Sequence, residues 1–458
     1  MPRLRPGEGV QAFPEYRWYH NITLNAYWFG TSFMWNSLHP IILPTLLLSL
    51  VPENAKNTGY GLLTFAGLMV ALVMEPVSGA LSDGSRHRLG RRRPWVLAGT
   101  FLGLVCLLPL ALANSLWMVA VGYVLLQFAS NLAHGAGQGL IPDIVPQGKR
   151  GIASGIKYLI DMAGVICAAL VAGPLMGGGH PRPLLAVGVV ACVLLGAMTI
   201  TVVGSREVPT SRLGKARPRG RAGLAQLRQL LKVNLRGQRD YARLLAARYC
   251  VLLGTYSVQS FGLFYFHDAL QMPDAPTAVG KVMAAVALSV TLITFPAGVL
   301  SEVWGRKGLS LAACAITAVG MGLLLPVRSM TALLALGCTI GVGMGIFASV
   351  TWAWATDLVP SAEAGKYLGL SNLATAGSAA TARLLGPVVD LVNARRPYVG
   401  YSIMFIVATI GALLGLGILI GVPDKGAAMR SRGETDQASG REVSLGSSAR
   451  AQPATRRR

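Results

Sequence analysis

Twelve apolar stretches follow one another along the chain, roughly over 22–50, 58–82, 95–114, 116–140, 152–177, 183–204, 242–268, 277–300, 308–327, 331–356, 366–392 and 397–422. Their recurrence constrains the fold more than any other feature. A hydrocarbon core about 30 Å thick is crossed by about 20 apolar residues in a helix. Inside that core a single stretch can satisfy its backbone N–H and C=O groups only as a helix. The predicted fold is therefore an all-α membrane protein with twelve transmembrane helices. Charge content agrees: 13% of the 458 residues are charged, against about 25% in soluble chains.

The basic residues sort by loop. The chain carries 41 Lys and Arg against 19 Asp and Glu, a net charge of +22. With the first tail placed in the cytoplasm, 32 of the 41 fall in inside segments. Five fall outside: Lys56, Arg182, Arg328, Arg395 and Arg396. The positive-inside rule then predicts a multi-pass protein of the cell membrane with both termini cytoplasmic. The excess of arginine over lysine points to a GC-rich bacterium, hence to a bacterial inner membrane. Because topology explains the basic charge, no nucleic-acid partner is expected. The expected partners are a small-molecule substrate and the lipid bilayer, with the chain working as a monomer. The six cysteines lie inside apolar stretches without metal-ligand spacing and read as small apolar filler. With no nucleotide loop, nucleophile triad, sizeable soluble domain or cleavable signal in view, neither an enzyme nor a resident cofactor is expected.

The chain also repeats itself. Asp143, Val145, Pro146, Gly151 and Gly155 recur as Asp357, Val359, Pro360, Gly365 and Gly369 at an offset of 214. Gly79, Leu81, Ser82 and Asp83 match Gly298, Leu300, Ser301 and Glu302 at 219, and Gly90-Arg91 matches Gly305-Arg306 at 215, so the first turn carries a four-residue insertion. Two motif pairs in one order predict two six-helix halves in parallel orientation. The divisions are an N-tail over 1–21, a first half over 22–204, a linker over 205–241, a second half over 242–422 and a basic tail over 423–458. In the linker, Leu224, Leu227, Leu231 and Leu235 at helical spacing predict a short basic amphipathic helix on the inner leaflet; a disordered linker is the alternative. The final tail is expected to be disordered.

Residues 79–95, ending Gly90-Arg91-Arg92-Arg93-Pro94-Trp95, resemble the loop between helices 2 and 3 of the major facilitator superfamily, and Glu302 to Lys307 resemble its second-half counterpart. The longer first version is similar to that of the glycoside–pentoside–hexuronide:cation symporters and the related sucrose transporters. The resemblance implies the major facilitator fold and alternating access. It implies that helices 1, 4, 7 and 10 line a central cavity. It also implies that Glu75-Pro76-x-x-Gly79 answers the second half of a cation-site pattern, whose first carboxylate is replaced here by Ala71.

The turn has its own physics. Asp83 ends a helix, and Arg88, Arg91 and Arg92 crowd a short loop around Gly90. Carboxylate and guanidinium pair in forked hydrogen bonds, so the cluster can latch two helix ends and release when they move; simple marking of topology is the bland alternative. Asp143 with Arg150, and Asp357 with Lys366, form a candidate second latch. Glu302, Gly305 and Arg306 repeat the first.

Ionisable residues within a span are costly and so are functional candidates. Glu75 is one. A lone carboxylate suits a proton better than sodium, which wants several oxygen ligands, so H+ is the expected coupling ion; a structural Glu paired to a basic neighbour is the rival reading. Lys157 and Asp161, spaced i, i+4, can pair on one helix face. Arg383 can hold an anionic substrate group or neutralise Glu75 or Asp161. Gln127, Asn131 and His134 make a polar stripe on helix 4 with Gln138. Asn25, Trp28, Ser32 and His39 make another on helix 1, Tyr256 and Gln259 lie on helix 7, and Trp352 lies on helix 10. Aromatic rings with neutral donors suit a sugar, and they also suit an amphipathic drug-like solute. The glycine runs Gly135–Gly139 and Gly341–Gly345 permit close helix packing.

The leading expectation is proton-coupled symport of a sugar or glycoside; the alternative is proton-driven export of a small organic compound. The topology has a direct check. A fluorescent-protein fusion to Arg458 is expected to fluoresce and an alkaline phosphatase fusion there to stay inactive; the opposite result reverses the orientation.

Overall fold

The computed structural model describes residues 17–85, 87–205, 238–359 and 364–423. The amphipathic helix expected in the linker lies outside these residues, as do nearly all of both tails. Twelve helices run back and forth: α1 (His20–Leu50), α2 (Lys56–Asp83), α3 (Arg93–Ala111), α4 (Leu116–Ile144), α5 (Arg150–Met176), α6 (Pro183–Gly204), α7 (Arg239–Asp268), α8 (Ala275–Trp304), α9 (Arg306–Leu323), α10 (Met330–Leu358), α11 (Ala364–Arg383, resuming as Gly386–Arg395) and α12 (Val399–Ile420). Among the described residues nine are long and apolar enough to cross a bilayer unaided. The others are α7, α9 and α11, all of which carry arginines.

The helices pack as two six-membered bundles. In the first, α1 packs on α5 and α6, α4 on α2 and α3, and α3 on α6. Each of these pairs recurs six helices later: α7 on α11 and α12, α10 on α8 and α9, and α9 on α12. The bundles meet along two seams, α2 against α11 and α5 against α8, which the same six-helix shift exchanges.

Both seams are tight near the rim opposite the arginine turns, which the charge rule expects to face outward and which is named the outer rim on that expectation. A Cβ on Gly61 would lie 2.2 Å from the Arg383 carbonyl oxygen, and one on Gly280 would lie 2.3 Å from that of Ala169. Gly61 and Gly280 are 219 positions apart, and Ala169 and Arg383 are 214 apart, the two offsets that relate the sequence motifs. The seams are thus one contact built twice. One apolar cluster joins both bundles on this side, with Leu47 and Tyr60 meeting Phe261, Phe264 and Phe405. At the opposite rim each bundle keeps its own cluster, around Leu24, Leu140 and Ala153 in the first and around Tyr241, Trp354 and Tyr367 in the second. Among the described residues the arrangement is sealed at the rim opposite the arginine turns and divided at the rim that carries them.

Two helices are irregular where the sequence demands it. In α1, residues Leu38–Ile42 form a wider π-helical turn around Pro40, which lacks a backbone N–H and cannot continue the regular ladder. This turn carries His39. In α11 the helix breaks just after Arg383, and Pro387 near the start of the second piece favours a fresh helix start.

Gly254 tests the packing within one bundle. A Cβ there would lie 2.4 Å from the Ala408 Cα of α12. Overpacking of this kind costs about 1–3 kcal/mol. Gly254→Val is therefore expected to lower the unfolding temperature of the purified protein. Gly61→Val can relieve its clash by parting the outer seam, and it is expected to raise external maleimide labelling of a cysteine placed at Ser260 on a cysteine-free background.

Candidate transport site

At the inner rim, Arg92 gathers groups from several helix ends. Its Nη2 lies 2.5 Å from Asp83, its Nη1 donates to the Ser82 hydroxyl at 2.5 Å, and its Nε donates to Asp143 at 3.0 Å. Its side chain is only 8% exposed, and Gly139 leaves room for it: a Cβ there would lie 2.4 Å from the guanidinium. Arg91 adds two bonds to Asp143, both 2.7 Å, from a more exposed position. In the second bundle Arg306 donates to Asp357 at 3.0 Å and to Ser301 at 2.7 Å. The Ser–Arg–Asp clamp is therefore duplicated, with Arg92 rather than Arg91 equivalent to Arg306. Arg92 stands 51 residues before Asp143, and Arg306 stands 51 before Asp357.

Other expectations for this rim are corrected. Arg150 does not pair with Asp143; it donates to the carbonyls of Pro142 and Val145 and so caps the end of α4. Glu302 does not repeat the ion pair of Asp83 and has no ion-pair partner among the described residues. Arg88 is exposed. The Lys366 side chain lies outside what the structure describes. Gly90 and Gly305 both hold positive φ, 106° and 93°, at the turns that release these arginines. Each clamp joins helices of one bundle, α2 with α4 and α8 with α10.

Two turns deeper, the first bundle gathers its ionisable groups. The Glu75 carboxylate of α2 lies 3.3 Å from His134 Nδ1 and 3.4 Å from the Gln138 amide, both on α4. Gly135 brings the two helices together at this level, where a Cβ would lie 2.3 Å from the Glu75 carbonyl oxygen. His134 meets the Trp28 ring edge-on at 4.8 Å, and the Lys157 ammonium sits over the same ring at 3.4 Å. Asp161 accepts a hydrogen bond from Ser32. The expected ion pair between Lys157 and Asp161 is absent: the ring holds the cation and the hydroxyl holds the carboxylate. Glu75 is not the lone buried carboxylate predicted either, since His134 and Gln138 touch it and its side chain is 45% exposed. Nor does Arg383 neutralise Glu75 or Asp161.

Towards the outer rim a polar cavity of about 180 Å³ lies between the bundles. Trp35 and His39 of α1, Tyr60 of α2, Tyr256 and Gln259 of α7, and Arg383 of α11 line it. Trp35 stacks on His39 at 4.9 Å, and His39 Nε2 lies 2.9 Å from the Tyr123 hydroxyl. An apolar cavity of about 420 Å³ adjoins it, sharing Asn36, Tyr256 and Gln259 and walled by residues such as Met162, Val282, Val286, Leu333, Ile340 and Phe405.

Above the polar cavity the bundles are tied by a charged network. Lys56 pairs with Asp268 at 2.7 Å, with side chains 6% and 10% exposed. Asp268 also accepts from Tyr401 and lies 2.8 Å from His267. Asn57 donates to Asp390 at 2.8 Å, as does the Thr58 backbone N–H at 2.7 Å.

Of the predicted cavity residues, His39, Tyr256 and Gln259 line the cavity and Arg383 joins them. Trp28, Ser32 and His134 belong to the ionisable cluster. Asn25 is fully buried and donates to the Asn21 and Ala153 carbonyls, a clasp between α1 and α5. Gln127 donates to Tyr123, and Asn131 donates to Gln127. Trp352 lies at the inner end of α10, 5.8 Å from the Arg248 guanidinium. Tyr60 and the network of Lys56, Asp268 and Asp390 were missed. Lys56 read as a loop marker, and only the opposite charge of Asp268 at the end of α7 signalled a partner.

Residues 26–382 match the sequence profile described as Major Facilitator Superfamily. Over 138 residues the chain is 30% identical to a tetracycline resistance protein, class H, of Pasteurella multocida; the match spans 30% of this chain and 32% of that protein. Among solved structures, the nucleoside transporter NupG aligns with TM-score 0.67 and 15% identity over 88% of this chain and 98% of its own. A bacterial homologue of the iron transporter ferroportin, in an inward-facing state, aligns with TM-score 0.66 and 17% identity over 88% and 98%. A bacterial homologue of the lysosomal transporter Spinster, inward-facing and unoccupied, aligns with TM-score 0.65 and 15% identity over 90% and 98%. At these identities the structures speak to the fold.

The two arginines of the first turn are separable. Arg92 is 8% exposed and bonds to α2 and α4 at once, whereas the more exposed Arg91 pair contributes about 0–1 kcal/mol. Arg92→Ala is expected to lower thermal stability far more than Arg91→Ala; equal losses would remove Arg92 from the centre of the clamp.

Proposed function

Because the chain belongs to the major facilitator superfamily, we propose that it is a secondary active transporter that exports an amphipathic organic solute in exchange for protons. The apolar cavity beside the polar one carries this reading. Its volume falls within the about 300–1,000 Å³ of drug-sized sites. A sugar placed against that wall would leave hydroxyls without partners, at about 1–3 kcal/mol each. A solute with one polar end and one apolar body fits both chambers, and Tyr256 and Gln259 stand where its two parts meet. The tetracycline resistance relative supports export.

Glu75 and Asp161 are the proposed proton acceptors. Each lies in the first bundle within reach of a group that responds to its charge: His134 for Glu75, and Ser32 with nearby Lys157 for Asp161. Alternating access then requires the Lys56–Asp268 tie to part while the divided inner ends close. No bound cofactor enters this scheme.

Everted membrane vesicles with an acid-inside gradient test the proposal. Uptake of members of a panel of amphipathic fluorescent compounds is expected, and Glu75→Gln is expected to abolish gradient-driven uptake while leaving ligand-induced thermal stabilisation in place. Gradient-coupled movement of radiolabelled sugars, with none of the amphipathic panel carried, would sink it in favour of sugar symport.

A further inference from the structure

Arg383 stands at a place where the fold does not ask for an arginine. The repeat makes it the counterpart of Ala169, and both residues present a backbone carbonyl to a glycine on the opposite bundle. The alanine serves that seam without any functional group. The guanidinium must therefore be explained by what it faces. It faces the polar cavity. Its Nη1 donates to the Ala379 carbonyl at 2.8 Å, and its Nε is fully buried with no hydrogen-bond partner.

The nearby carboxylates are occupied elsewhere. Asp390, on the next piece of the same helix, accepts from Asn57 and Thr58. Asp268 is held by Lys56, His267 and Tyr401. Glu75 and Asp161 find their partners within the first bundle. Among the described residues no acid pairs with Arg383. Around it, Tyr256, Gln259 and Ser260 line the same cavity, and their side chains make no hydrogen bond among the described residues. An unpaired guanidinium with uncommitted donors around it is costly in a membrane interior unless a visiting group supplies the counter-charge.

We infer that Arg383 is the charge-reading residue of the substrate site, and that the solute bears an anionic oxygen group, such as a carboxylate, sulfonate or acidic enolate, on an apolar body. The anion sits in the polar chamber against Arg383, and the body extends past Tyr256 into the apolar one. This rests on the amphipathic-solute reading above and narrows it. A planar guanidinium recognises such oxygens in forked geometry.

Isothermal titration of the purified full-length protein tests it with two probes of one shape, 1-naphthoate and neutral 1-naphthamide. The naphthoate is expected to bind about tenfold tighter or more, the scale of a hydrogen bond to a charged group. Arg383→Gln is expected to bring it down to the affinity of the amide, and Arg383→Lys to keep part of the preference. Equal binding of the two probes to the unsubstituted protein overturns the inference and leaves the amphipathic reading standing; that comparison needs no variant to fold. An Arg383→Gln protein that weakens both probes alike also overturns it. Saturable binding of neither probe overturns both readings.

Discussion

The cost of a charge in hydrocarbon organises this molecule. Every arginine, lysine and carboxylate that the fold admits must reach a rim, find a partner or face a cavity. The inner rim receives the arginine turns, and their guanidinium groups are spent on the ends of α2, α4, α8 and α10. The outer rim receives Lys56, Asp268 and Asp390, which tie α2 to α7 and α11. Between the rims, among the described residues, remain a cluster in the first bundle and two arginines in the second, Arg248, which donates to Thr351, and Arg383, which faces the polar cavity. On the proposed reading the cluster and Arg383 carry the chemistry.

The two rims do different mechanical work. The Arg92 and Arg306 clamps each close on helices of their own bundle, so they stiffen the bundles as bodies. The outer ties and the glycine seams cross from one bundle to the other. Rocking of one body on the other must therefore break contacts outside while leaving the inner clamps intact. A latch that opens and shuts was the natural reading of an arginine-rich turn. On the proposed reading that part falls to Lys56 and Asp268, whose ion pair crosses between the bundles.

Much of the fold was legible because bilayer thickness, the 3.6-residue helix and gene duplication each leave a period in the sequence. The twelve spans, the two bundles and the duplicated turn all follow from such periods. Residue partners were less legible, because a linear stripe does not say which side chains meet. Asn25 lay on the right face of α1 yet bonds to a backbone carbonyl of α5. Lys157 and Asp161 had the right spacing to pair, but Trp28 and Ser32 outcompete that pairing. The insertion in the first turn hid which arginine matches Arg306, and only the shared bonds to Ser82 and Asp143 identified Arg92. The apolar chamber left no motif at all, since its wall is drawn from seven helices of ordinary lipid-like composition.

The proposed proton acceptors stand in one bundle while most of the apolar wall comes from the other, and this has a consequence for descent. In a duplicated protein the copies begin alike and can then specialise. On the proposed reading, one copy keeps the engine while the other is free to drift. Replacements among Val282, Val286, Leu333 and Ile340 reshape the cargo hold without touching Glu75, His134 or Asp161. Lineages built on such a frame can change what they carry in small steps and retain, at every step, the same means of driving it.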